Sequence, residues 1–245
     1  MRCLGHASKR SFFFHQGGAF CLRTFDYPAA TSGRGAGNTL IFEEKAGLVR
    51  LEAITDGAAV VGARLAAPKP LSRGAEIAAT TVAAACSIEV ADIAIDLHVP
   101  VIASAGFGFV FARLKTREAL AAARPRTEVF SAELSADPET GLPPGILLYV
   151  PDAANERDIR ARMFAPLHGV PEDPATGSAN VALAGLLASL RPEPDLTLEL
   201  RVVQGVEMGR PSLLQASADK RAGEVVAMRI GGRCVPMIRG TLELA

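Results

Sequence analysis

The stretch from Ser178 to Leu190 constrains the fold more than any other part of the chain. It reads as a helix, it holds no charged residue, and its only polar members are Ser178, Asn180 and Ser189. A helix that is apolar on every side has to be buried on every side. At about 1.5 Å per residue it would be about 20 Å long, enough to cross a small domain. The rest of the chain has to enclose it. With 245 residues, 49% of them hydrophobic, there is material for one large domain or two ordinary ones.

The surroundings read mostly as strands. Leu40–Glu44 and Leu48–Ile54 flank a turn at Lys45-Ala46-Gly47, and Ala58–Ala66 predicts a third strand. A proline-punctuated break at 67–74 is a candidate domain boundary. Gly74–Cys86 reads as helical, with an acidic start at Glu76. Val101–Ser104 and Gly108–Leu114 predict paired strands, and Thr116–Arg124 a short helix with Thr116 as its N-cap. Further strands are expected at Gly145–Val150, Leu196–Val203, Glu224–Ile230 and Pro236–Leu244. Residues 1–37 carry neither period, and Ala29–Asn38 has the composition of a loop. Clustered strands with few helices predict an α+β arrangement rather than a doubly wound sheet. No G-x-G-x-x-G follows a strand, and no P-loop sequence is present.

The segment leading into the apolar helix is Glu172-Asp173-Pro174-Ala175-Thr176-Gly177-Ser178-Ala179. A buried helix whose first turn emerges at an acidic, small-residue loop has a clear use. The backbone N–H groups of Gly177, Ser178 and Ala179 have no partner within the helix and can bind an anion such as a carboxylate. Asp173 stands next to them, where a carboxyl group can handle a proton. The plainer alternative makes Asp173-Pro174 a turn with Thr176 as an ordinary cap.

Lys+Arg and Asp+Glu balance at 26 each, which gives no electrostatic case for nucleic acid or a membrane surface as a partner. No apolar run reaches the roughly 18 residues of a spanning helix, and the start lacks the layout of a secretory signal. The four cysteines (3, 21, 86, 234) and four histidines (6, 15, 98, 168) are scattered without metal-ligand spacing, so no metal is expected. Sparse, unpaired cysteines fit a reducing compartment, with the cytoplasm as the default.

The string Glu-Asp-Pro-Ala-Thr-Gly-Ser-Ala-Asn at 172–180 resembles the signature of the phenazine-biosynthesis PhzF-like isomerases. Arg162-x-Phe164-x-Pro166, Gln204-Gly205-x-x-Met208-Gly209-Arg210-Pro211-Ser212 and Ile230-Gly231-Gly232 extend the likeness, as does the strand pair around Phe42–Val49. The resemblance implies a diaminopimelate epimerase-like α+β fold: two similar domains, each a barrel-like sheet around a central helix, with the site in the cleft between them. The corresponding division of this chain is 1–70 and 71–245. It further implies proton shifts next to carboxylates, with no cofactor and a small carboxylate-bearing substrate. Asp173 and His6 would be catalytic, and Gly177, Ser178, Ala179 and Gly5 would bind substrate, with Gly5-His6 matching the family's Gly-His pair. A homodimer is the assembly considered. The family's Ser-Glu-Thr segment, with its catalytic Glu, has no counterpart here, and the start reads as shortened or divergent. Two alternatives follow: an inactive ligand-binding or dimerising remnant of the same fold, or an amino-acid epimerase or racemase. A cysteine-based version of the latter needs a thiol at each of two helix starts, and 176–179 holds none.

Overall fold

The computed structural model describes residues 2–3, 39–44, 47–57, 59–136 and 143–234 of the chain. Among these lie strands β1 (Arg2–Cys3), β2 (Thr39–Glu44), β3 (Gly47–Asp56), β4 (Ala59–Ala66), β5 (Ser72–Glu76), β6 (Val101–Ser104) and β7 (Gly108–Arg113). The later strands are β8 (Gly145–Pro151), β9 (Asp158–Ala165), β10 (Val170–Asp173), β11 (Leu196–Gln204), β12 (Ser212–Arg221) and β13 (Glu224–Arg233). The helices are α1 (Ala79–Cys86), α2 (Arg117–Ala122), α3 (Thr127–Glu133) and α4 (Gly177–Ser189).

The strands form one sheet in the order β1-β2-β3-β4-β13-β12-β11-β9-β8-β7-β6-β5, with β10 added to β9. Neighbours are antiparallel except β7 with β8 and β9 with β11. Strand β4 pairs along β13, so the sheet runs on between the first described strands and the last.

The apolar helix sits where its composition demands. Residues 179–186 and Ala188 of α4 are buried, and alternate residues of the surrounding strands close on them: Val101, Phe109, Phe111, Leu147, Ala161, Leu200, Ala216 and Met228 among others. Two prolines just beyond, Pro192 and Pro194, forbid its continuation. The opposite faces of β7, β8 and β9 carry Val110, Ala112, Ile146, Leu148 and Phe164, which pack on α1, α2 and α3. Strand β8 is therefore covered on both sides, which is why Gly145-Ile-Leu-Leu-Tyr-Val150 reads as an unbroken apolar run. Strand β11 is covered on one side, and Leu198, Leu200 and Val202 alternate with exposed Thr197, Glu199 and Arg201.

The α+β arrangement is the one expected, and so is the cap of α2, where the Thr116 hydroxyl accepts from Ala119 N at 3.1 Å. The helix expected over Gly74–Cys86 is corrected: Ser72–Glu76 is a strand at the sheet's edge, exposed throughout and paired only with β6. Helix α1 begins after Ala78 with no acid in its first turn. Strands β9, β10 and β12 and helix α3 were not expected from the sequence. The strand expected at Pro236–Leu244 lies outside the described residues. Apart from Arg2–Cys3, so does the start through residue 38, including Gly5 and His6.

Candidate active site

Strand β9 ends in a single turn of 3-10 helix at Pro166–His168, and Gly169, at φ 76°, turns the chain back. Strand β10 then lies antiparallel on β9, with Val170 opposite Ala165 and Asp173 opposite Met163. Adjacent residues of a strand face opposite sides. That alternation separates the two neighbouring acids.

Glu172 faces the helical layer. There Arg162, only 3% exposed, holds its carboxylate with two parallel bonds, Nε to Oε1 and Nη2 to Oε2, each 2.8 Å. The remaining nitrogen of Arg162 donates to the carbonyls of Leu120, Ala121 and Ala123. Those carbonyls lie at the C-terminal end of α2, its negative pole, where Leu120 also accepts from Ala123 N and Arg124 reaches Ala121 and Ala123. The guanidinium also lies over the Phe164 ring at 4.9 Å. Glu172 and Arg162 are thus a pin between β9, β10 and α2.

Asp173 faces the other way, toward the start of α4, and is buried. Its Oδ2 accepts a hydrogen bond from the Thr176 hydroxyl at 2.7 Å. Thr176 occupies the N-cap position of α4 in an extended conformation, yet its side chain makes no capping bond. The first-turn N–H groups of Gly177, Ser178 and Ala179 are therefore left open by the residue that normally closes them. Thr176 and Asp173 are buried, Gly177 is half-buried and Ser178 is exposed, so the helix start rises from the interior to the surface.

Gln204, the last residue of β11, ties this loop down from across the sheet. Its Nε2 donates to the Asp173 carbonyl and, at 2.9 Å, to Thr176 Oγ1. Its Oε1 accepts from Asn180 Nδ2 at 2.8 Å and, more loosely, from Thr176 N at 3.4 Å. Asn180 uses the same nitrogen to reach the Thr176 carbonyl at 2.8 Å, and its buried Oδ1 has no partner. The next residue, Gly205, has φ 78°, and a Cβ there would stand 2.8 Å from Pro174 Cβ and its carbonyl oxygen. Strand β11 can therefore end against Pro174 only with glycine at this point.

The structure places buried Asp173 beside the start of α4, at Gly177, Ser178 and Ala179. It corrects the plainer reading of Thr176, whose hydroxyl serves Asp173 and not the helix. Glu172, read as part of an acidic loop, belongs to the Arg162 pin. Gln204 and Asn180 are partners that the sequence reading did not assign, although Gln204-Gly205 stood among the quoted motifs. His168 is engaged elsewhere, its Nε2 2.9 Å from the Pro143 carbonyl and its ring edge-on to Phe107. The two described thiols are poor proton carriers: burial pushes both Cys86 and Cys234 up from the ordinary thiol value. No cluster of metal-ligand type occurs among the described residues, and no described helix is long and apolar enough to cross a membrane. A cavity of about 230 Å³ lies among Tyr149, Leu187, Arg191 and Leu200, and none of the 172–180 residues lines it.

The strands pack around a buried helix that an acidic strand leads into, an α+β arrangement. The family model for phenazine biosynthesis-like proteins (PhzC-PhzF) matches residues 26–240, and the chain belongs to that family. An uncharacterized isomerase of Mesorhizobium japonicum is 32% identical over 219 residues, which is 87% of this chain and 71% of that protein. The trans-2,3-dihydro-3-hydroxyanthranilate isomerase of Pseudomonas chlororaphis is 44% identical over 85 residues, 35% of this chain and 30% of the isomerase. The match thus spans less than a third of that enzyme's length. Among solved structures, a PhzF-family phenazine biosynthesis protein of Bacillus anthracis superposes with a TM-score of 0.65 at 20% identity, covering 81% of this chain and 66% of that one. A hydroxyproline epimerase of Agrobacterium vitis shares the fold at a TM-score of 0.52 and 16% identity, over 88% of this chain and 60% of the epimerase.

Proposed function

We propose that this chain is an isomerase that shifts a proton in a small carboxylate-bearing substrate by general acid–base chemistry, without metal or organic cofactor. The observation that carries the reading is the buried Asp173 beside a helix start whose own cap residue leaves it open. A substrate carboxylate would sit on the N–H groups of Gly177, Ser178 and Ala179, with the Ser178 hydroxyl as a further donor. Asp173 would then reach a proton on the adjacent carbon. From the first half of the chain, Gly5 and His6 are the proposed contributors. The relatives supply a first substrate to try, trans-2,3-dihydro-3-hydroxyanthranilate, and proline-type imino acids form the second class.

The test is incorporation of solvent deuterium into these substrates, followed by mass spectrometry. Asp173→Asn keeps the shape and most hydrogen bonds of the side chain but removes its ionisable group. Exchange should fall by about 10²–10⁴-fold, the usual contribution of a general acid or base, with a small change in melting temperature. Wild-type protein that binds these carboxylates yet exchanges nothing would make the chain a binding module. Unchanged exchange in Asp173→Asn would remove Asp173 from the chemistry.

A further inference from the structure

We infer that Gln204 is a positioning residue that keeps the start of α4 uncapped, and so holds its first-turn N–H groups open for a ligand. A threonine at an N-cap ordinarily turns its hydroxyl oxygen toward the N–H of the second or third helical residue, here Ser178 or Ala179. Thr176 does not. Its Oγ1 is held from two sides: it accepts from Gln204 Nε2 at 2.9 Å and gives its only proton to Asp173 Oδ2 at 2.7 Å. A β-branched side chain has few rotamers, so two such bonds fix both the direction of its oxygen and that of its proton.

Gln204 can do this because it is itself immobile. It is fully buried, both hydrogens of its amide nitrogen are in use, and its oxygen accepts from Asn180 Nδ2 at 2.8 Å. Asn180 faces its donor nitrogen into this network and leaves its buried Oδ1 without a partner. The cost of that orphan is further sign that the loop is wired for one arrangement. Without the Gln204 N–H, the Thr176 oxygen would be free to turn and cap the helix, filling the place that a substrate carboxylate would take. The link to substrate rests on the proposed function. The uncapped geometry does not.

The test needs no substrate. Amide hydrogen exchange of the full-length protein, followed by NMR, would read the N–H groups of Ser178 and Ala179 against that of Leu183 in the same helix. In Gln204→Leu the released hydroxyl caps the helix, and exchange at Ser178 or Ala179 should slow by about fivefold, the effect of a cap bond of ordinary strength. The double variant Gln204→Leu/Thr176→Val has no hydroxyl to turn and should return to the wild-type rate. Thr176→Val alone, which keeps Gln204, should leave both amides within about twofold of wild type, because no cap bond is lost. If Gln204 merely glues the loop to the sheet, its removal loosens the helix start and exchange speeds up, a change of opposite sign. Faster or unchanged exchange in Gln204→Leu overturns the inference. If that variant does not fold, faster exchange at Ser178 and Ala179 in Thr176→Val overturns it equally. Slower amide exchange in Gln204→Leu, together with no solvent-hydrogen incorporation by the wild-type protein, would refute the enzyme reading and leave this one standing.

Discussion

The guanidinium of Arg162 reaches three elements at once: its own strand β9, the Glu172 carboxylate on β10, and the carbonyl end of α2. Replacing it leaves a largely buried carboxylate without its ion partner and takes one donor from the carbonyl end of α2, where Arg124 still reaches Ala121 and Ala123. Removing one partner of a buried ion pair typically costs about 3–5 kcal/mol, so Arg162→Met should lower the urea midpoint far more than any exposed Arg→Met change. Arg162→Lys should recover little, since a single ammonium cannot form the parallel pair of bonds and reach α2 as well. A midpoint within experimental error of wild type would contradict the pin. At this scale the sequence was partly legible. Asp173 and the helix start could be found from eight consecutive residues, because their chemistry is local. The division of labour between Glu172 and Asp173 could not, since it depends on β10 being a strand and on what lies against each of its faces. Gln204 is 31 residues from Asp173, and only the sheet brings them together.

Helix α4 was the most legible element, because a charge-free stretch of that length has few places to be. Its interior also contains Gly185, normally a weak point in a helix by about 0.5–1 kcal/mol relative to Ala. Here a Cβ would collide with Met228 Sδ on β13 and come within 3.1 Å of Leu71 Cδ1. Gly185→Ala should therefore destabilise the protein by about 1–3 kcal/mol despite the gain in helix propensity. Met228→Ala in the same chain should return part of the loss. Chemical denaturation of the single and double variants measures both, and a Gly185→Ala protein more stable than wild type would show the contact to be slack. The strands that escaped notice have specific reasons. Inward positions of β12 are Leu214, Ala216, Ala218 and Lys220, one large apolar residue, two alanines and a buried cation whose Nζ donates to the Arg191 carbonyl, so its alternation in hydropathy is faint. In β9 the buried Arg162 interrupts the apolar pattern. Strand β5 is exposed along its whole length and shows no alternation at all.

Stability of the whole molecule is tied to acidity through His98. Its Nδ1–H donates to the Val99 carbonyl and its Nε2 accepts from the Tyr149 hydroxyl, both at 2.7 Å, with the two rings stacked. Burial holds its pKa below the ordinary histidine value. The unfolded chain takes up a proton near about pH 6.5 while the folded protein stays neutral there. The unfolded state then binds more protons, so stability falls as pH drops through that value toward the lower, folded one. The urea midpoint should decline between about pH 7.5 and 5.5, and the decline should be shallower in His98→Gln. Equal slopes in the two proteins would exclude His98 as the source. The acids paired to arginines at the surface, such as Asp219 with Arg229, have lowered values and act only in a more acidic range.

The pairing of β4 with β13 has a consequence in time. Strand β4 is complete once residue 66 has been made, yet the strand that covers its open edge ends at residue 233. At about 5–20 residues per second, the ribosome needs roughly ten to thirty seconds to supply it. Through that interval the nascent chain carries Ala-Val-Val-Gly-Ala-Arg-Leu-Ala, with Arg64 as its one charge, as an unpaired sheet edge. The slower the translation, the longer that edge stays without its native neighbour.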